Sequence, residues 1–477
     1  MTATAAPNGA DIEPADLIRV IEDDNAAYHA LPRHGGDAWQ VLDAKLRSIH
    51  RRQRRLDRLL AADGPAQDGP ARDALVAALL ALGVRLDGPR LERLAALIGR
   101  GEGYAQVCAA QGERFPGAEH LHDLAGPDLD LKIEVNRDSP WPFERWRAET
   151  AFADYRFEGD GVRFRGLLLR PGDLILPNVN LDGNFVYSAL SDPKGFCPHS
   201  AVFVILEAGE RRYPAVIETY EKGLRAVPLC VFLNARYISY AEVYRHRDLD
   251  GASVAHVSDV AHAALADARG YNFDTHDDDR AYVCCTQVVL QLHRALGLEV
   301  LADFGAIVDP GVRETMRRLD YHHLDVFFTP IDFIRSELFQ FVGWVDNGQP
   351  ARLVARELVE QRFRERFSRA DLDPARLPLM ARVNLFGIRQ MRARTPLGRL
   401  VSKVMGFDHG SLPKGPDRIL AVVEPLEAEL GKAVRGILPA VEARLAELDE
   451  MDLTVLLADP ALTARVTELL PLRWLRA

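Results

Sequence analysis

The chain is poor in cysteine. It has five in 477 residues, at positions 108, 197, 230, 284 and 285. The odd count and the lack of framework spacing argue against a disulfide-stapled scaffold and point to free thiols in a reduced compartment. No run of about eighteen apolar residues occurs, which excludes a membrane-spanning helix by hydropathy. The segment MTATAAPNGADIEPADL has no basic stretch followed by an apolar one. No secretory leader is therefore expected, and the expected location is the cytoplasm. Positive charge is not in excess either. A formal net charge of -10 makes the chain as a whole a poor nucleic-acid ligand. Internal repeats and low-complexity tracts are absent. What remains is 48% hydrophobic and 27% charged, the composition of a soluble globular protein too long for one ordinary core.

The pattern along the chain divides it in three. Residues 12–112 read as helices, broken by the turn clusters DGPAQDGPA and LDGP. Near residue 128 the composition changes. LDLKIEV, YRFEGDGVRFRGLLL, GDLILPNV, SAVFVILEAG, YPAVIETY and AVPLCVFL are short, rich in β-branched and aromatic residues, and separated by Gly, Asp and Pro. They read as strands of a largely antiparallel sheet or small barrel. A helix is expected over about 252–269 and another after the Cys284–Cys285 pair. From about 350 the pattern is helical again, with Pro425 and Pro439 as expected kinks or starts in one or two long helices. The fold class is therefore α+β, with regions 1–125 and 346–477 helical around a unit at 126–345. The flanks have apolar stripes and no long Gly/Ser linker, so they are expected to pack on that unit.

Three pieces of the middle unit carry chemistry. His199 opens the strand PHSAVFVIL. Glu218 lies near the end of the next strand in AVIETYEKGLRAVPL. Cys285 begins the helix CTQVVLQLHRALG. A thiol hydrolase needs this set: a thiolate nucleophile, an imidazole that moves the proton, and a polar group that orients the imidazole. A helix amino terminus also favours a thiolate. Taken singly, each residue has a plainer role, as a buried thiol, a strand-end histidine or a solvated carboxylate.

Four segments together resemble the permuted NlpC-type papain-like cysteine hydrolases, in particular the YiiX-like group. They are RPGDLIL (170–176), CPHSAVFVI (197–205), YPAVIETYEKGLRAVPLCVFL (213–233) and YNFDTHDDDRAYVCCTQVV (271–289), with a weaker Thr-Pro match in VFFTPIDFIRSELFQFVG. The resemblance covers about 130–345. It implies a circularly permuted papain-like core in which the histidine strand precedes the cysteine helix. It selects Cys285 as nucleophile, His199 as base and Glu218 as orienting acid, with Asp173 and Thr286 as possible supporting groups. Cys284 is then a packing or loop-ending residue. Three departures stand out: Val283-Cys284 where an aromatic commonly precedes the nucleophile, Thr286 for a serine, and Gln287 for an acidic residue.

The implied activity is cleavage of an amide or ester through an acyl-thioester, on a peptide, N-acyl or acyl-lipid substrate. An acyltransferase using the same intermediate is the near variant, and a non-catalytic scaffold on a hydrolase fold is the distant one. No cofactor or metal is expected. THDDDR (275–280) lacks the ligand spacing of a calcium loop, and the adjacent His322 and His323 do not face one ion. The basic run His50–Arg55 reads first as a solvated helix face and second as a contact for acidic lipid or phosphate.

Overall fold

The computed structural model describes residues 38–61, 69–82, 86, 88–114, 135–136, 155–164, 167–179, 185–191, 197–208, 210–220, 223–233, 238–274, 281–300, 305–347, 349–372, 377–405, 412–448, 451–472 and 475–476. The first helices are α1 (Ala38–Ala61), α2 (Pro70–Leu82), α3 (Gly88–Ile98) and α4 (Glu102–Arg114). Strands follow as β1 (Val135–Asn136), β2 (Arg156–Glu158), β3 (Gly161–Phe164), β4 (Leu167–Leu169), β5 (Leu174–Val179), β6 (Ala201–Ala208), β7 (Arg211–Tyr220), β8 (Gly223–Pro228) and β9 (Ile238–His246). The short helices α5 (Phe185–Leu190) and α6 (Leu229–Phe232) interrupt them. Then come α7 (Gly251–Asp267), β10 (Gly270–Tyr271), β11 (Tyr282–Val283), α8 (Cys285–Ala295), α9 (Pro310–Arg318), α10 (Pro330–Arg335) and β12 (Phe339–Asp346).

Seven of these strands form one sheet in the order β1-β8-β7-β6-β5-β9-β12, every neighbouring pair antiparallel. The terminal strands β1 and β12 do not pair with each other, so the sheet is open. Of the two expected shapes, sheet and small barrel, the sheet is the one found. Both faces are covered, which explains why β6 reads as an almost unbroken apolar run. Val202, Val204 and Leu206 point to the core shared with α7 and α8. Ala201, Phe203 and Ile205 point to the opposite core, shared with β3, β4 and α6.

Two local readings change. AVPLCVFL reads as a strand throughout, but β8 ends at Pro228 and Leu229–Phe232 turn into a buried helix. Proline offers no N–H to extend the ladder and its φ of -52° suits a helix start. Of the one or two helices expected around Pro425 and Pro439, the structure has one, and neither proline starts a new helix. Both lie inside a single 31-residue helix, Asp417–Glu447. Burial of Leu426, Leu430, Ile437 and Val441 on that helix offsets the backbone bonds the prolines remove.

The carboxy-terminal helices α11 (Pro350–Ser368), α12 (Leu379–Arg392), α13 (Pro396–Met405), α14 (Asp417–Glu447), α15 (Leu453–Leu457) and α16 (Pro460–Leu469) are continuous with the sheet unit. Tyr240 of β9 and Leu190 of α5 share a core with Val354, Leu430 and Val466. Arg356 donates to the Val179 carbonyl at 2.8 Å, and Arg364 to the Ser191 carbonyl at 2.7 Å. The amino-terminal helix α1 docks on this carboxy-terminal body. Leu46 enters its core, His50 Nε2 meets the Leu448 carbonyl at 3.2 Å, and Arg54 donates to the Ala446 carbonyl at 2.9 Å. His50 and Arg54 of the His50–Arg55 run are thus engaged with the end of α14, where carbonyls without helical partners accept hydrogen bonds. His50 and Arg52 are buried. Of the other candidates, residues 275–280 lie outside those described. Among the described residues no helix is long and apolar enough to cross a membrane.

Candidate active site

Helix α8 carries the nucleophile candidate on its first turn. Cys285, Val288, Val289 and Leu292 are spaced i, i+3, i+4 and i+7, so they share one stripe. The last three pack into the sheet core, which turns Cys285 toward the sheet as well. Cys284 is the helix N-cap. Its backbone N–H donates to Gln287 Oε1 at 2.8 Å, completing a reciprocal capping box. Asn272 Nδ2 donates to the same oxygen at 3.2 Å. Gln287, one of the three departures, therefore ties the loop before the helix to its first turn and sets the position of Cys285. Thr286 Oγ1 lies 3.1 Å from the Cys284 sulfur.

His199 sits just before β6, and Glu218 lies on β7 next to it. Imidazole Nε2 is 2.9 Å from Glu218 Oε2. Cys285 lies close enough to the same imidazole to raise it, and with Nε2 on Glu218 the nitrogen left for the sulfur is Nδ1. The other Glu218 oxygen, Oε1, accepts from Arg225 Nε at 2.8 Å and Nη2 at 2.7 Å. Arg225 faces Glu218 directly across the β7–β8 pair. The structure thus brings Cys285, His199 and Glu218 together, with Arg225 as a fourth member. All four side chains are largely withdrawn from water.

The electrostatics follow from this alternation of charge. Burial favours the neutral acid at Glu218, but the Arg225 charge and the His199 bond overcome it and hold the carboxyl at about 2. Burial likewise opposes a charged His199, but the bonds to Cys285 and Glu218 raise the imidazole to about 9. Burial pushes the Cys285 thiol up, yet the His199 bond and charge, helped by Ser200, bring it below its ordinary value. At Cys284 burial meets no such cation, and with Cys285 beside it the thiol rises to about 12. The two adjacent thiols are shifted in opposite directions, Cys285 below its ordinary value and Cys284 far above it.

Asp173 has other partners. Arg245 grips both of its oxygens at 2.7 Å, and the Arg170 N–H donates to Oδ2 at 2.7 Å. The same turn bonds to β6, since Gly172 N–H donates to the Phe203 carbonyl and Phe203 N–H to the Asp173 carbonyl. Asp173 locks β5 to the histidine strand and to β9. Two site residues were not anticipated from sequence. Arg225 was legible in principle, because only two residues separate β7 from β8 in sequence and the pairing register sets Glu218 opposite Arg225. Ser200, buried and acting to lower the Cys285 thiol, carried no signal beyond its neighbour His199.

Replacing Arg225 by Met should leave Glu218 buried with its principal counter-charge removed. We expect a loss of about 3 kcal/mol in unfolding free energy, measured by urea titration. An unchanged midpoint and slope would mean that Glu218 reaches water.

With the triad geometry in place, comparison with known families becomes informative. Residues 168–306 match the family of permuted papain-like amidases, the YaeF/YiiX, C92 family. The match contains His199, Glu218, Arg225 and Cys285, and it places this segment with papain-like hydrolases at the coarse level. No curated protein and no solved structure matches the chain.

Proposed function

We propose that the chain is a cysteine amidase that works through an acyl-thioester at Cys285. The observation that carries this reading is the linked set Cys285–His199–Glu218–Arg225 at the amino end of α8. The Cys285 thiolate attacks the carbonyl carbon of an amide. The N–H of Cys285, at the first helical position, has no acceptor within the helix and is directed to the developing oxyanion. His199 then gives its Nδ1 proton to the leaving nitrogen as the C–N bond breaks. In the second half the neutral imidazole takes a proton from water, whose oxygen attacks the thioester. The acid leaves, and the thiolate and imidazolium are restored. Glu218 holds the ring by Nε2 throughout, and Arg225 keeps that carboxylate ionised.

Aromatic side chains border the nucleophile. Tyr271 is close enough to both cysteines for their charge, after burial, to raise its phenol. Phe273 packs on Tyr271 at 4.6 Å between ring centroids, and Tyr187 adjoins Phe273 at 6.2 Å. This apolar wall suits the acyl side of the substrate better than a charged peptide. N-acyl amides are therefore favoured over free peptides, with acyl-lipid esters the next class.

The active form pairs a thiolate with an imidazolium. It is present above the Cys285 pKa and is lost as pH rises through the His199 value of about 9. kcat/KM on an N-acyl amide should therefore fall on the acid side as the thiol protonates and on the alkaline side near pH 9, both limbs belonging to the coupled pair. Acid quenching followed by mass spectrometry should show one acyl adduct, on Cys285. A single limb near pH 6.5, with no adduct, would mean that an uncoupled histidine acts without covalent catalysis.

A further inference from the structure

Helices α12 and α13 form a hairpin that the catalytic reading does not use. Its inner side is anchored: Ile388 and Met391 pack with Ala421 of α14. The two helices approach closely, since a Cβ at Gly398 would overlap the Gln390 carbonyl. The outer side is the unusual part. Nine large hydrophobic side chains are strongly exposed among the described residues, and six of them lie here. They are Leu379, Met380, Val383, Phe386, Leu397 and Leu400, between 45% and 67% exposed. Leu379, Val383 and Phe386 recur at i, i+4 and i+7, and Leu397 and Leu400 at i and i+3, so each helix presents an apolar stripe.

The charge on this hairpin has one sign. Residues 377–405 contain no Asp or Glu, but they contain Arg382, Arg389, Arg392, Arg394, Arg399 and Lys403 in a chain of net charge -10. All six are exposed. Asp417 of the next helix pairs with Arg389 and Arg392. A compact protein partner could cover an apolar stripe, but an apolar stripe flanked by an excess of cations matches the layered chemistry of an anionic lipid surface. Acyl chains meet the apolar side chains and headgroup phosphates meet the cations.

We propose that the 379–405 hairpin docks this protein peripherally on anionic membranes. The apolar stripe sinks to the acyl boundary while Arg382, Arg394, Arg399 and Lys403 lie among the headgroups. The turn of the hairpin, at Met391, Arg392 and Arg394, borders a cavity shared with Tyr282 and Lys414. Tyr282 lies on β11, three residues before Cys285. Docking therefore holds the approach to the nucleophile loop near the bilayer surface. This surface is separate from the basic run on α1, which is engaged with α14.

The test is co-sedimentation of the full chain with vesicles. Phosphatidylcholine containing phosphatidylglycerol should bind it, phosphatidylcholine alone should bind at least about tenfold less, and added salt should release it. V383E/F386E and R382E/R399E should each weaken binding by more than about tenfold, because they alter exposed positions and leave the fold intact by circular dichroism. Val455→Glu, at an exposed apolar site elsewhere, should change nothing. The idea is overturned if the full chain ignores anionic vesicles at low salt, or if V383E/F386E binds them as well as the parent does. It is also overturned if light scattering shows a dimer that F386E disperses while vesicles are ignored, since the face would then belong to a second copy. Binding needs no turnover, so the result is independent of the chemistry at Cys285.

Discussion

Cys285→Ala abolishes turnover, by about four orders of magnitude or more in kcat, while Cys284→Ala keeps most of it: this is the expected result for the double-cysteine step. The asymmetry comes from geometry. Cys285 is the first residue of α8, bonded to His199, and its thiol is held below the ordinary range against the cost of burial. Cys284 is the cap, pushed by burial up to about 12, with its sulfur on Thr286. Neither can replace the other, because neighbouring positions on a helix point about 100° apart. Cys284→Ala still removes a capping side chain, so it should lose about 1 kcal/mol of stability. Initial rates on an N-acyl amide, with thermal melts of both variants, check the pair. Equal losses of activity in the two variants would place the nucleophile elsewhere.

His199→Ala should be nearly as damaging, with kcat down by about three to four orders of magnitude. Two functions disappear together: the proton shuttle and the cation that favours the thiolate. Once the imidazole is gone, burial is opposed chiefly by Ser200, so the Cys285 thiol should rise toward or above its ordinary value. The defect should therefore ease as pH is raised, because hydroxide can generate the thiolate that His199 no longer stabilises. A pH-independent loss would imply that His199 only packs against the helix.

The clustering of Cys285, His199 and Glu218 was more legible in sequence than the fold around it. Cys285, His199 and Glu218 stand in motifs whose order survives in the sequence as local patterns: a strand after a histidine, an acid near a strand end, a helix after paired cysteines. Arg225 acts through cross-strand register, a relation between two strands that no single stretch displays. Gln287 stood out as a departure from the family pattern, and its oxygen receives the Cys284 and Asn272 donors and fixes the helix start. Asp173 looked like a possible support for the triad, but burial beside Arg245 gives it a different set of bonds. Strands β9 and β12 were missed. ISYAEVYRH does alternate, but β9 buries both faces in the sheet interior, including Glu242 under the hydroxyls of Tyr240 and Tyr244. Buried polar groups of that kind blur the apolar pattern on which strand recognition depends. Pro425 and Pro439 do not start separate helices in the 31-residue helix, because tertiary burial outweighs local propensity.

The central claim is that a buried imidazolium keeps Cys285 ionised. The most direct measurement is the rate of iodoacetamide alkylation of Cys285 against pH, followed by peptide mass spectrometry in the parent chain and in His199→Ala. An ordinary thiol with a pKa of about 8.5 is almost wholly protonated at pH 6. The account predicts fast labelling of Cys285 at pH 6 in the parent, little labelling of Cys284, and collapse of the Cys285 rate in His199→Ala. A Cys285 rate at pH 6 that is slow in the parent, or equally fast without His199, would contradict it.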